Sequence, residues 1–210
     1  MSFDSLEGRM ELIDRIFYAS IEEFRENGIR FTMDSLAARL GISKRTLYET
    51  VPSKTELIEM VIDRTFADIK KQQREIFENK EMTLVNKLKR LFTIVPSYSE
   101  KIDYRRVNEI RRAYPQLYQK IQDHLNGDWD RTIALLEEGM NAGIVKRNNI
   151  VVLKVLLVEI FEKLLDGTFL IQNNISYETA MKETLSIIFE GILTDSARDI
   201  PEPSRKGRRQ

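Results

Sequence analysis

The sequence predicts an all-α fold, on two observations. Five prolines and nine glycines in 210 residues leave long uninterrupted windows, and in most of those windows apolar residues recur at helical rather than alternating spacing. The length also allows a small domain joined to a larger one. The break made by Pro52 and Ser53 sets the expected boundary, giving domains 1–53 and 54–196 and a tail 197–210.

The elements follow in order. Leu12, Ile13, Ile16, Phe17, Ser20, Ile21 and Phe24 share one face of a first helix, which "ENG" closes with Gly28 suited to a left-handed cap. Thr32 is placed to N-cap a second helix carrying Leu36, Ala37 and Leu40. Gly41 ends it, and Ser43 caps a third helix running to about Thr50. After the Pro52 break, Leu57, Ile58, Val61, Ile62, Ile69 and Phe77 mark a long fourth helix. A fifth carries Leu84, Leu88, Leu91, Phe92 and Val95 and stops at Pro96; a sixth spans 102–114 and stops at Pro115. A seventh is read as one continuous helix through Leu117, Ile121, Leu125, Trp129, Ile133, Leu136 and Met140. A polar connector, 143–149, leads to helices over about 150–172 and 176–194. The first of these is apolar nearly all round, so it needs cover on more than one side: its own domain on one face and a second copy of the chain on the other. The end, "ARDIPEPSRKGRRQ", has few apolar residues and reads as disordered, its basic finish as a solvated tail.

Composition removes several classes of function. Lys+Arg and Asp+Glu both total 33, so no whole-molecule field draws the chain to nucleic acid or membrane, and any such partner must meet a local patch. The absence of cysteine excludes disulfides, thiolate metal sites and a cysteine nucleophile, and suits a reducing cytoplasm. The opening "MSFDSLEGRMELID" is acidic and lacks an apolar secretion segment, and the most apolar run, 150–161, is too short and too charged to span a bilayer. With no phosphate-binding glycine loop, no zinc motif and a single histidine, the chain reads as neither an enzyme nor a cofactor carrier.

The local patch lies in "LAARLGISKRTLYETVPSKTEL". Two short helices around a glycine fit a helix-turn-helix, in which the second helix enters the major groove. Leu36, Leu40, Ile42 and Leu47 supply its small core, Ala37 allows the helices to approach, and Gly41 stands where the turn tolerates positive φ. A helix from Ser43 to Thr50 is about 12 Å long, a match to a groove roughly 12 Å wide. Its leading face presents Ser43, Lys44, Arg45, Thr46 and Tyr48. Arg45 has the fork to take both acceptors of a guanine, and Lys44 reaches a guanine or a phosphate. Thr46 offers a hydroxyl or a methyl, Tyr48 a hydroxyl for a phosphate, and Lys54 and Thr32 add phosphate contacts at helix starts. Between residues 37 and 54 four positive residues face Glu49 alone, yet the first 57 residues together are not basic, so one module by itself binds weakly.

"TMDSLAARLGISKRTLYETVPSKTEL" resembles the DNA-binding domain of the TetR (tetracycline-repressor-like) family of bacterial transcriptional regulators, over roughly the first 57 residues. The family usually has an aromatic residue where Val51 stands. The resemblance implies a cytoplasmic homodimer that binds a palindromic operator in double-stranded DNA, most simply as a repressor, and is released when a small molecule enters a C-terminal ligand-binding and dimerisation domain. For that ligand Tyr104, Trp129, Glu159 and Phe161 are the candidate contacts, since a pocket between helices is lined by aromatics with a few polar groups. Glu159 sits in the most apolar helix, where a charge needs a partner: a ligand, Arg105 or Arg106, or solvent. His124 reads as an ordinary helix-surface histidine. The rival is a helical ligand-binding or enzymatic protein whose front domain does not touch DNA, and an activator on the same fold is indistinguishable from a repressor.

Overall fold

The computed structural model describes residues 3–198, and among them no strand occurs. The helices are α1 (Phe3–Asn27), α2 (Met33–Leu40), α3 (Lys44–Thr50), α4 (Lys54–Glu78), α5 (Leu84–Phe92), α6 (Val107–Ala113), α7 (Pro115–Asn126), α8 (Asp130–Asn141), α9 (Ile150–Asp166), α10 (Thr168–Asn173), α11 (Tyr177–Ile192) and α12 (Asp195–Arg198). No described helix is long and apolar enough to cross a membrane. The tail expected to be disordered lies, but for its first two residues, outside the described residues.

The front of the chain folds where its local signals put it. Thr32 caps α2 by accepting from Ser35 N at 3.0 Å while Ser35 Oγ accepts from Thr32 N at 3.1 Å, a reciprocal capping box that satisfies donors the helix itself cannot. Gly41 ends α2 with φ 66°, and Ser43 caps α3 through Thr46 N at 3.0 Å. Ile16, Leu36, Leu47 and Leu57 are wholly buried together, with Val51 closing the same core. Leu57 belongs to α4, so the first turn of α4 completes the head on the body side of the expected 53/54 boundary.

Behind it the sequence reading needs three corrections. The expected sixth helix begins at Val107 rather than 102, the preceding residues forming two single 3-10 turns, Ser99–Lys101 and Tyr104–Arg106. The expected seventh helix is two, α7 and α8, because 127–129 leave the helical path and Asp128 sits at φ 57°. The expected eighth also breaks, at 167, into α9 and α10. In both places the apolar spacing runs on across the break, so periodicity alone joins what the backbone separates. Leu88, Leu157, Leu170 and Leu193 centre the body core, and residues 144–146 pair with 192–194 to tie the connector to the end of α11.

A third apolar cluster joins the two parts. Ile58 and Ile62 of α4 pack with Val107, Ile110, Leu117 and Ile121 of α6 and α7, and Phe24 of α1 touches both this cluster and the head core. Polar contacts reinforce the joint: Ile29 N donates to Glu109 Oε2 at 2.7 Å, and Lys120 Nζ reaches Glu59 and Asp63 of α4 at 2.8 and 2.7 Å. Gly28, at φ 61°, lies so close to Glu109 that a Cβ there would collide with its carboxylate.

Candidate nucleic-acid interface and internal cavity

On α3 the side chains expected to meet DNA share one open face. The Arg45 side chain is 87% exposed, Tyr48 is exposed, and Ser43 and Thr46 stand at the start of the helix with their hydroxyls 2.8 Å apart. Leu47 points the other way, into the head core, which fixes the helix's rotation. The two cations are held by local carboxylates. Arg45 Nε lies 2.8 Å from Glu49 Oε1 one turn on, and Lys44 Nζ lies 2.5 Å from Asp34 Oδ2 on α2. Such exposed pairs are worth ~0–1 kcal/mol, so a phosphate or a guanine can take over either cation at small cost.

The other two expected phosphate contacts are differently placed. Lys54 turns inward, its ammonium bonded to the carbonyls of Ile29 and Phe31 and 4.3 Å from the centre of the Phe31 ring. Burial pushes its pKa down from the ordinary lysine value. It therefore ties α4 to the turn that enters α2 instead of presenting a charge outward. Thr32 is exposed, with its oxygen accepting from the α2 cap and its own proton left to donate.

One buried carboxylate, absent from the sequence reading, braces this arrangement. Glu23 of α1 takes hydrogen bonds from Arg39 Nε at 2.7 Å and from Asn27 and Ser35 at 3.0 Å. Burial works to raise its pKa, but these bonds outweigh it and hold the carboxyl below its ordinary range. No spacing signal marks Glu23, because its partners lie 4, 12 and 16 residues away.

A cavity of about 260 Å³ opens between head and body. Its walls come from both: Ile21 and Phe24 of α1, Ile62 and Phe66 of α4, Phe92 of α5 and Met181 of α11 are among them. Tyr104, Trp129 and Phe161 line it as expected. Glu159 does not. It is exposed on the outer side of α9, so its charge is met by solvent and not by a ligand in this cavity.

His124 departs from expectation in the other direction. Rather than lying on a helix surface, it lines the cavity, stacked on Phe66 with ring centres 4.3 Å apart, and its Nε2 is buried without a hydrogen bond. The nearest carboxylate to Nε2 is that of Asp63, at 3.7 Å. Across the site, Tyr104 stacks on Tyr177 at 4.0 Å and its hydroxyl is likewise buried and unpaired; burial raises its pKa well above the ordinary tyrosine value. The Trp129 indole N–H is satisfied by Leu125 O at 2.8 Å. Lys70 and Asp128, which also border the cavity, pair with each other at 2.6 Å. His124 and Asp128 were visible only as a lone histidine and a nearby acid, since the fold alone brings them to Phe66 and Lys70.

Comparison with known proteins agrees with the helical pair. The sequence model of the family described as bacterial regulatory proteins, tetR family, matches residues 16–61, from the core residue Ile16 through α3 and the start of α4. An uncharacterized HTH-type transcriptional regulator of Bacillus subtilis, YvaF, is 25% identical over 185 residues, spanning 88% of this chain and 97% of its own length. Residues 16–61 thus match the DNA-binding domain of the TetR family of transcriptional regulators. Members of this family bind DNA and are not enzymes. The fold extends the likeness to the body. SmeT, solved with triclosan, superposes with a TM-score of 0.65 at 18% identity over 91% of this chain and 97% of its own. The regulator FadR of Bacillus subtilis, solved with stearoyl-CoA, gives 0.63 at 18% identity over 85% and 98%.

Proposed function

We propose that this TetR-family regulator is a repressor that binds a palindromic operator as a homodimer and lets go when a small molecule occupies the cavity. In this reading residues 1–53, with the first turn of α4, form the reading head, and residues 54–196 bind the ligand and make the dimer. The observation that carries it is the cavity's shared wall. Because Ile21 and Phe24 of the head line the same space as Tyr104 and Trp129 of the body, an occupant acts on both at once. A ligand moves the heads only if it prefers one arrangement over the other; driving a 1:99 equilibrium to 99:1 takes about 5.5 kcal/mol of preference.

Dimerisation is supported by one face of α9. Val151, Val152, Val155 and Leu156 are each more than half exposed, as is Ile187 on α11, an apolar surface of the kind a second copy covers. Two α3 helices in such a dimer would meet successive major grooves about 34 Å apart or somewhat more. That a small molecule binds is in keeping with SmeT having been solved with triclosan and FadR with stearoyl-CoA. The working place of such a protein is the cytoplasm, beside the DNA.

The test is selection of bound fragments from a random DNA pool, with the wild type beside an Arg45→Ala, Tyr48→Ala double variant. A palindromic motif enriched by the wild type alone is the expected result. Enrichment of nothing by either protein, repeated after refolding to strip any bound ligand, would leave the rival in place, a ligand-binding protein with an idle front domain.

A further inference from the structure

Folded proteins pair nearly all their buried polar atoms, so the exceptions point to something missing. Among the described residues three buried side-chain polar atoms lack a partner: Asn86 Oδ1, the Tyr104 hydroxyl and His124 Nε2. The last two border the same cavity, Tyr104 from the 3-10 turn before α6 and His124 from α7, each stacked on another ring. Each ring is stacked on a neighbour, Tyr177 or Phe66, and each polar atom lacks a hydrogen bond, with Asp63 Oδ1 3.7 Å from His124 Nε2.

We propose that the cavity takes an uncharged aromatic molecule of one or two rings carrying two oxygen groups, an acceptor for the Tyr104 hydroxyl and a hydroxyl or carbonyl for His124 Nε2. This rests on the reading of the cavity as the effector site and names the chemistry it selects. Size sets the ring count. About 260 Å³ exceeds the roughly 150 Å³ that holds a benzene and falls short of the roughly 300 Å³ at which drug-sized sites begin. Charge sets the neutrality. Among the described residues the only lysine and the only carboxylate on the wall, Lys70 and Asp128, neutralise each other, so an ionic guest finds neither of them free and keeps its desolvation cost. Wall chemistry sets the aromaticity, since Phe24, Phe66, Trp129 and Tyr104 offer ring faces and edges to a flat guest.

The two polar contacts then set the substituents. Burial favours the protonated phenol of Tyr104, whose O–H can donate to an acceptor on the guest. Nε2 of a neutral imidazole donates in one tautomer and accepts in the other, and a hydroxyl satisfies both. A guest of the same outline without oxygen would leave both atoms unpaired.

The test uses the full chain and one ring skeleton. Equilibrium dialysis measures the affinities of naphthalene, 2-naphthol, 2,6- and 2,7-dihydroxynaphthalene, 2-naphthoate and dodecanoate for wild type, Tyr104→Phe and His124→Phe. The better of the two diols is expected to bind at least about tenfold tighter than naphthalene, and each variant to lose about five- to tenfold of the diol affinity while holding naphthalene within about twofold. Phe keeps a ring in each stack, and a melting curve matching the wild type confirms that each variant is folded. A diol no tighter than naphthalene, or 2-naphthoate or dodecanoate tighter than either diol, would overturn the ligand class. Titrating the same compounds against the complex with selected DNA separates the two readings. A protein that holds its DNA and ignores the diols refutes the ligand class alone, whereas one that takes the diols at Tyr104 and His124 but selects no DNA upholds the ligand class and refutes the regulator.

Discussion

The head and the body of this molecule are built on different scales. In the head, each turn is decided within three or four residues: Thr32 with Ser35, Ser43 with Thr46, Gly41 at positive φ. In the body, the site is assembled from Phe66, Tyr104, His124, Trp129, Phe161 and Tyr177, drawn from helices spread over more than a hundred residues. A function read by a short helix can be written in a short motif. A function read by a cavity is written in packing, and many sequences can write it. In keeping with that contrast, the match to the family model spans residues 16–61 while the fold likeness to SmeT covers 91% of the chain.

Substitutions on either side of the joint test whether head and body behave differently. The largest effects are expected from the cores. Leu47→Ala in the head and Leu157→Ala in the body each remove a wholly or almost wholly buried side chain and should cost about 2–5 kcal/mol in chemical denaturation. Leu47→Ala should lower DNA affinity more than diol affinity and Leu157→Ala the reverse; the same pattern for both would show one undivided cooperative unit. Next, Val152→Asp with Leu156→Asp puts charge on the open face of α9 and should turn a dimer into a monomer by sedimentation equilibrium. Loss of the second head should weaken operator binding at least about 100-fold, the gain that joining two modules supplies. An unchanged sedimentation profile would move the dimer face elsewhere.

A smaller effect belongs to the α2 cap. Thr32→Ala removes one bond of the capping box and should cost about 1 kcal/mol of stability, with a similar or slightly greater loss of DNA affinity if its hydroxyl also meets a phosphate. The smallest concerns acid. The Glu23 carboxyl is held below its unfolded value, so its contribution is present in full above the ordinary glutamate pKa and is lost as pH falls through its folded value. Melting curves from pH 7 to pH 3 should show the wild type losing more stability than Glu23→Gln, and parallel loss would remove Glu23 as the brace.

How much was legible in the sequence follows the same division. The caps, the positive-φ glycine, the buried face of α3 and its exposed cations could all be read from neighbours in the chain. Lys54 could not, since only the fold brings the carbonyls of Ile29 and Phe31 over it. In the body, helical spacing found nearly every apolar segment but missed the breaks at 127–129 and 167, where the pattern continues in phase while the backbone turns. Of the four candidate ligand contacts, the three aromatic ones reach the cavity because large apolar side chains seek any interior, whereas Glu159, chosen for its unlikeness to its neighbours, faces water. His124 reads as a surface histidine in the sequence because the ring it stacks on, Phe66, is far away along the chain.

In the proposed function α3 reads bases and Arg45 is its reader. The most direct measurement compares the selected DNA motif of the wild type with that of Arg45→Ala, position by position. Specific affinity should fall by about 1–3 kcal/mol and preference should relax at one position in each half-site, with the rest of the palindrome intact. A motif unchanged in every position, or weakened evenly across all of them, would contradict it and return Arg45 to the phosphate backbone.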